Sequence, residues 1–213
     1  MFEAADRKLH NARTALQRLR ALVKPPLVTN VQIISGPGNG EIVGIEDPLA
    51  FSEAFSSCVA QVRSVGDAIR NDATANKLPD FKEWIKAKIA ECMSDELMTF
   101  IRDRRNSDLH EGECPFSFRM HPCTFVITDV VPTLPKGAVL RVNGTGPYWI
   151  LPNTLDERHP YEIPNGAVFT VAIIDPPTMH KGKPLTASDP VTICAMAEKY
   201  YTELLREARH LFK

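Results

Sequence analysis

The chain has 213 residues, 44% of them hydrophobic and 24% charged, with a formal net charge of −1. That composition fits a globular fold built as one large domain or two small ones, and it excludes attraction of the whole chain to nucleic acid or membrane, leaving only a local basic patch for such contacts. No apolar run approaches the roughly 20 residues that cross a bilayer, and MFEAADRKLHNAR lacks the apolar centre of a signal peptide, so no membrane role and a cytoplasmic location are expected.

In the first segment Phe2, Ala5, Leu9, Ala12, Leu16, Leu19 and Val23 recur at alternating spacings of three and four, which places them on one stripe of a helix. Lys24-Pro25-Pro26 ends it, because proline lacks the amide donor and restricts its predecessor. NVQIIS and EIVGI, separated by Gly36-Pro37-Gly38-Asn39-Gly40, read as a β-hairpin. Asp47-Pro48 looks like an N-cap followed by proline at the first helical position. Phe51, Phe55, Cys58, Val59, Val62, Val65 and Ile69 then mark a second helix ending near Arg70-Asn71. Asp80 with Glu83 three residues later resembles a capping box opening a third helix. Its stripe is Phe81, Trp84, Ile85, Ile89, Cys92, Leu97, Phe100 and Ile101. Ser94-Asp95 is a point of interruption, since both residues favour caps over helix interiors, and Gly112 is a natural stop.

From Cys114 to about Ser188 the character changes. Eleven of the 17 prolines fall here, among the runs CTFVITDVV, AVLRV, PYWILP and AVFTVAII. These predict strands joined by proline-containing turns. Asp189-Pro190 repeats the helix-opening signal, and a last helix follows with the stripe Cys194, Ala197, Tyr201, Leu204, Ala208 and Leu211. The expected fold is a mainly helical α+β domain spanning 1–213. Four helices form a bundle, a β-hairpin follows the first, and a β-rich insertion at 114–188 precedes the last.

The third helix ends in FIRDRRNSDLHEGE, which gathers Arg102, Arg104, Arg105, Asn106, Asp108 and His110 into nine positions. On a helix Arg102, Asn106 and His110 share a face, and Arg105 sits one residue round from Asn106. An imidazole that titrates near neutral pH beside fixed guanidinium groups suits proton transfer at a phosphate ester. Arginine's planar fork matches phosphate oxygens and stabilises charge developing on them. Asn106 can orient a ribose hydroxyl or the phosphate. No metal or cofactor is needed for such chemistry. The bland alternative is a solvated helix end whose His is favoured by the helix dipole alone.

Arg105-Asn106-Ser107-Asp108-Leu109-His110 resembles the signature of HEPN domains: an arginine, a polar residue directly after it, and a histidine five positions beyond the arginine. Its place at the end of the third helix of a four-helix bundle is also similar to that family. The resemblance covers about residues 1–24, 48–112 and 190–213. It implies a metal-independent endoribonuclease acting as a homodimer, with His110 as acid/base on the ribose 2′-hydroxyl, Arg105 holding the scissile phosphate and Asn106 orienting it. Arg102 would be a second phosphate contact, and cleavage would leave a 2′,3′-cyclic phosphate. It further implies a toxin-like or phage-defence role with an antitoxin or operon partner. Other members of the family are inactive modules that bind nucleotides or mediate assembly, so the alternative is a catalytically silent module.

His110, Cys114, His121 and Cys123 are all zinc-ligand types, but their spacings x3, x6 and x1 match no familiar finger or ribbon. A zinc-stabilised interaction protein is therefore a third reading, and it competes with a catalytic His110. The glycine-rich turn at 36–40 lacks the Gly-Lys-Ser/Thr ending of a phosphate loop. Cys58 lies on an apolar stripe, which argues for packing over nucleophilic chemistry. Five cysteines, an odd number, do not point to a disulfide framework. Tyr148 and Trp149 can stack on bases or pack. His159 reads as a solvated loop residue, and His10 and His210 as polar-face residues of the terminal helices. Asn143-Gly144-Thr145 reads as a turn.

Overall fold

The computed structural model describes residues 1–23, 41–75, 77–78, 80–110, 116–121, 139–143, 146–151, 157, 159–160 and 168–212. At 41–43, 106–110, 119–121, 139–143, 146–147 and 168 it describes the backbone alone.

The first stripe forms α1 (Glu3–Ala21), which buries Ala5, Leu9, Ala12, Leu16 and Leu19 as expected, and Ala15 besides. The helix after Asp47 is α2 (Pro48–Ala75), one turn longer than its stripe suggested. The Asp47 carboxylate accepts the Ala50 amide at 2.9 Å, so the expected cap forms. The third expected helix is two helices, α3 (Phe81–Ser94) and α4 (Glu96–His110). They part at Asp95, whose backbone is extended at φ −96° and ψ 124° and whose carboxylate accepts the Met98 amide at 2.9 Å. Asp95 thus caps α4 in the conformation that caps prefer. The capping box expected at Asp80 does not form: Asp80 is left-handed at φ 59° and makes no side-chain cap bond. Aspartate tolerates that conformation better than most residues.

Six of the strands among the described residues combine into one antiparallel sheet. Its members are β1 (Glu41–Ile45), β2 (Phe116–His121), β3 (Val139–Asn143), β4 (Gly146–Ile150), β5 (His159–Pro160) and β6 (Val168–Ile173). Their spatial order is β1-β6-β2-β3-β4-β5. EIVGI is therefore a strand as expected, but its observed partner is β6, with Ile42 opposite Val171. The NVQIIS strand of the expected hairpin lies outside the described residues, as does CTFVITDVV. β1 thus joins the sheet of the 114–188 section, and a bulge at Gly44, which has φ 106°, shifts its register before Ile45. A small hairpin, β7 (Met179–His180) and β8 (Lys183–Pro184), turns at Lys181-Gly182 with φ 50° and 71°. Positive φ at both turn residues matches the strand twist, and it explains the glycine.

The last helix, α5 (Pro190–Leu211), is capped by Asp189, which accepts the Val191 and Thr192 amides at 3.0 and 2.9 Å. Leu211, the end of its stripe, is exposed. Helices α1, α2, α4 and α5 pack on one another, with α3 against α4 at the edge. The chain is mainly helical α+β, as expected, with five helices rather than four among the described residues. Alternation along the strands puts Phe116, Phe118, Phe169, Val171 and Ile173 in the same buried cluster as the helix stripes. Phe116 is the joint, with ring centroids 5.5 Å from Phe51 and 4.7 Å from Phe55 on α2. Edge and tilted contacts of this kind add to the area that the rings bury. The sheet is thereby fixed on α2 and α4 emerges beside it.

Candidate functional site

Helix α4 begins apolar and ends polar. Leu97, Met98, Phe100 and Ile101 bury its first half in the core. From Arg102 onward the side chains divide among three environments. Arg104 turns back to the protein: its guanidinium lies 5.1 Å from the centre of the Phe100 ring and donates to the Ile174 carbonyl at 3.4 Å. That contact ties α4 to the end of β6, a structural duty. Arg102 is half exposed, and its Nε donates to the neighbouring Asp103 carboxylate at 2.8 Å. Arg105 is exposed and has no ion-pair or hydrogen-bond partner among the described residues.

The α4 backbone is helical through His110. With 3.6 residues per turn, Arg102, Asn106 and His110 therefore lie along one face, and Arg105 borders it. The side chains of Asn106 and His110 lie outside the described residues, and so do the contacts they make.

Arg102 also borders a cleft of about 290 Å³ between α2, α3, α4 and α5. Among the described residues Arg63 and Arg70 of α2 and Lys88 of α3 are its other cations, and no carboxylate lines it. Residues 63, 66 and 70 are spaced i, i+3 and i+7, which brings them to one face of α2. Gly66 is needed there: a Cβ on it would stand 2.8 Å from Tyr201 Cε1. Tyr201 lies deep in the cleft, and burial pushes its hydroxyl up to about 12. The sequence reading missed this cluster. Its signal was a glycine interrupting an otherwise apolar stripe, flanked at helical spacing by two arginines.

A second polar cluster sits at the other end of α4. Asp95 accepts the Lys181 amide at 2.6 Å and lies 3.1 Å from His180 Nδ1, in addition to capping Met98. Burial alone would raise the Asp95 pKa, but the Lys181 and Met98 amides and His180 hold the carboxyl below its ordinary range. An ionised carboxylate only accepts, so His180 donates its Nδ1–H. Next door, Glu96 accepts the Thr178 amide and hydroxyl, both at 2.9 Å, and the Met179 amide at 3.1 Å. Those bonds, the Thr178 amide first, lower its pKa. Lys181 Nζ pairs with Glu203 at 2.9 Å and lies 5.1 Å from the centre of the Tyr200 ring. This cluster clamps the β7–β8 hairpin to the start of α4. Cys92 Sγ donates to the Tyr200 hydroxyl at 3.0 Å, and burial raises that thiol's pKa, which makes it a packed group and not an activated nucleophile.

The remaining candidates divide. Cys58 is fully buried, as its stripe implied, beside Cys194, whose thiol is pushed up by burial first and by Cys58 next. Trp149 pairs across the strands with His159 and stacks on it at 4.0 Å with 17° between the rings. His159 is therefore a strand residue, not a solvated loop residue, because its imidazole covers the indole. Tyr148 is buried, so it offers no face for a base. His10 and His210 are exposed on their helices as expected. For the zinc reading, Cys114 and Cys123 lie outside the described residues, as do the side chains of His110 and His121. The turn at 36–40 also lies outside them. Among the described residues no cluster of three His, Cys, Asp or Glu side chains can hold a metal, and no helix is long and apolar enough to cross a membrane. No family model, curated protein or solved structure matches this chain.

Proposed function

We propose that this chain is an HEPN-like, metal-independent endoribonuclease that acts as a homodimer. The observation that supports the reading is Arg105, exposed and without an ion-pair or hydrogen-bond partner among the described residues, on a helix that continues to His110. An exposed guanidinium can offer its planar fork of donors to a phosphate, and the continuous helix sets the spacing of the motif. Arg102, Asn106 and His110 on one face give the reaction its other groups.

In this reading Arg105 and Arg102 hold the phosphate, and Asn106 orients it. His110 takes the proton of the ribose 2′-hydroxyl as its oxygen attacks phosphorus. The bond from phosphorus to the 5′-oxygen breaks, and that oxygen receives a proton from the imidazolium. The products are a 2′,3′-cyclic phosphate and a 5′-hydroxyl. Charge develops on the phosphoryl oxygens in the transition state, where a guanidinium stabilises it most. Dimerisation supplies a second set of cations from the partner, since one helix end carries too few to track a strand. A role as toxin or defence effector with an operon partner belongs to the same reading.

The test is a substrate series. An oligoribonucleotide should be cut to cyclic-phosphate and 5′-hydroxyl ends, and the same oligonucleotide with 2′-deoxyribose throughout should remain intact. Cleavage of both would rule out attack by the 2′-hydroxyl.

A further inference from the structure

Helix α3 is unusual in this fold, because it buries only Phe81 although Ile85, Ile89, Cys92 and Met93 follow at helical spacing. Ile89 is 38% and Met93 62% exposed. These side chains form the outer lip of the cleft described above. Ile85, Met98 and Leu204 line the same space, so its walls are aliphatic. Among the described residues four cations, Arg63, Arg70, Lys88 and Arg102, line it and no acidic residue does.

We propose that this cleft binds a small amphiphilic oxyanion, an aliphatic body of about eight carbons ending in a carboxylate or an equivalent anionic head. Charge complementarity selects the anion. Three of the cations already touch carboxylates across or along the helices: Arg63 and Arg70 reach Asp67 at 3.3 and 3.0 Å, and Lys88 reaches Glu91 and Glu207 at 3.3 and 3.0 Å; the fourth, Arg102, pairs with its neighbour Asp103. Asp67, Glu91 and Glu207 are 41–45% exposed, so solvent screens their pairs and weakens them. Each guanidinium has five N–H donors and retains capacity for an incoming head group.

Shape selects the body. A volume of about 290 Å³ is roughly twice that of a cavity that holds benzene. It lies at the low end of ligand pockets, too small for a folded partner. Tyr201, the one aromatic lining residue among those described, is 4% exposed and gives no face for stacking a base, which argues against a nucleotide. A second copy of the chain is disfavoured as well. A two-fold interface sets a patch against itself, and this patch would bring cation onto cation. The site goes beyond the ribonuclease reading. Arg102 is the single residue the two share, and no variant in the test touches it.

The probe is the fluorescent anion 8-anilinonaphthalene-1-sulfonate, displaced from the full chain by octanoate, octanol or inorganic phosphate. Octanoate is expected to displace it about tenfold more tightly than octanol, because a hydrogen bond to a charged group adds to apolar burial. Phosphate, lacking the body, is expected to displace it only weakly. Arg70→Gln and Lys88→Gln should each weaken octanoate several-fold while leaving octanol unchanged. Both positions are partly exposed, so an unaltered melting temperature without ligand confirms that the variants fold. Ile89→Trp at the lip should exclude octanoate and octanol alike. The proposal is overturned if the probe does not bind, if octanoate and octanol are equal, or if phosphate alone competes as well as octanoate. It is equally overturned if an RNA oligonucleotide competes better than octanoate, or if probe binding vanishes as the chain self-associates.

Discussion

Replacing Asp95 by alanine removes three bonds from one carboxylate: the cap on the Met98 amide, the bond from the Lys181 amide and the contact with His180 Nδ1. Loss of a helix cap costs about 1 kcal/mol. Leaving His180, whose side chain is 12% exposed, and the Lys181 amide without their acceptor adds about 1–3 kcal/mol. The expected loss is thus about 2–4 kcal/mol, or roughly 4–16 °C in melting temperature for a chain of this length. Urea denaturation followed by circular dichroism measures it. Asp95→Asn keeps a capping oxygen and should lose less than half as much. A double-mutant cycle with His180→Ala should show coupling, because the two side chains are in contact. An Asp95→Ala loss below about 0.5 kcal/mol, the size of an ordinary surface change, would refute the idea that this carboxylate joins α4 to the β7–β8 hairpin.

Acid should act through the same junction. Asp95 and Glu96 have folded pKa values below their ordinary ones, so their stabilisation is complete above the unfolded pKa of about 4 and is lost as pH falls through the folded values. Stability measured from pH 5 to pH 2 should therefore fall less steeply in the Asp95→Asn variant than in the native chain; equal slopes would count against it. Phe116→Ala, which empties the joint between sheet and α2, should cost about 3–5 kcal/mol and leave a single unfolding transition if sheet and helices fold together. Gly66→Ala should destabilise by about 1–3 kcal/mol, because its new methyl would meet the Tyr201 ring. Mass mapping after brief iodoacetamide treatment at pH 8 should find Cys58 and Cys194 unmodified, since burial holds both sulfurs from solvent.

Periodicity made the helices legible. The stripes of α1, α2 and α5 are buried almost residue for residue, because an amphipathic helix has one way to hide its apolar face. Asp47 and Asp189 were readable as caps for a similar local reason: an aspartate followed by proline leaves few other conformations. Asp80 shows where local rules stop. Its spacing to Glu83 fits a capping box, yet its left-handed backbone turns the carboxylate away from the first-turn amides. Asp95, read only as an interruption, is the real cap, and its other partners are more than 80 positions away in the chain. Strand partners were similarly hidden. EIVGI announces a strand but not that it pairs with β6, because pairing depends on contacts distant in sequence. The site divides in the same way. Arg102, Asn106 and His110 share a helix face that spacing alone reveals. The convergence of Arg63, Arg70 and Lys88 on Arg102 comes from three helices meeting, which no single window of sequence contains.

In the proposed function Arg105 and His110 are the residues that cut RNA. The most direct measurement of that claim is cleavage of a mixed RNA substrate in EDTA by the native chain, His110→Ala and Arg105→Ala, purified in parallel so that contaminating ribonuclease would appear equally in all three. Both substitutions should lower the rate by at least about 100-fold, the contribution expected of a general acid–base or an oxyanion-stabilising group. Equal rates in the three preparations, or no cleavage in any, would contradict the claim and return RRNSDLH to the status of a helix end that binds or packs.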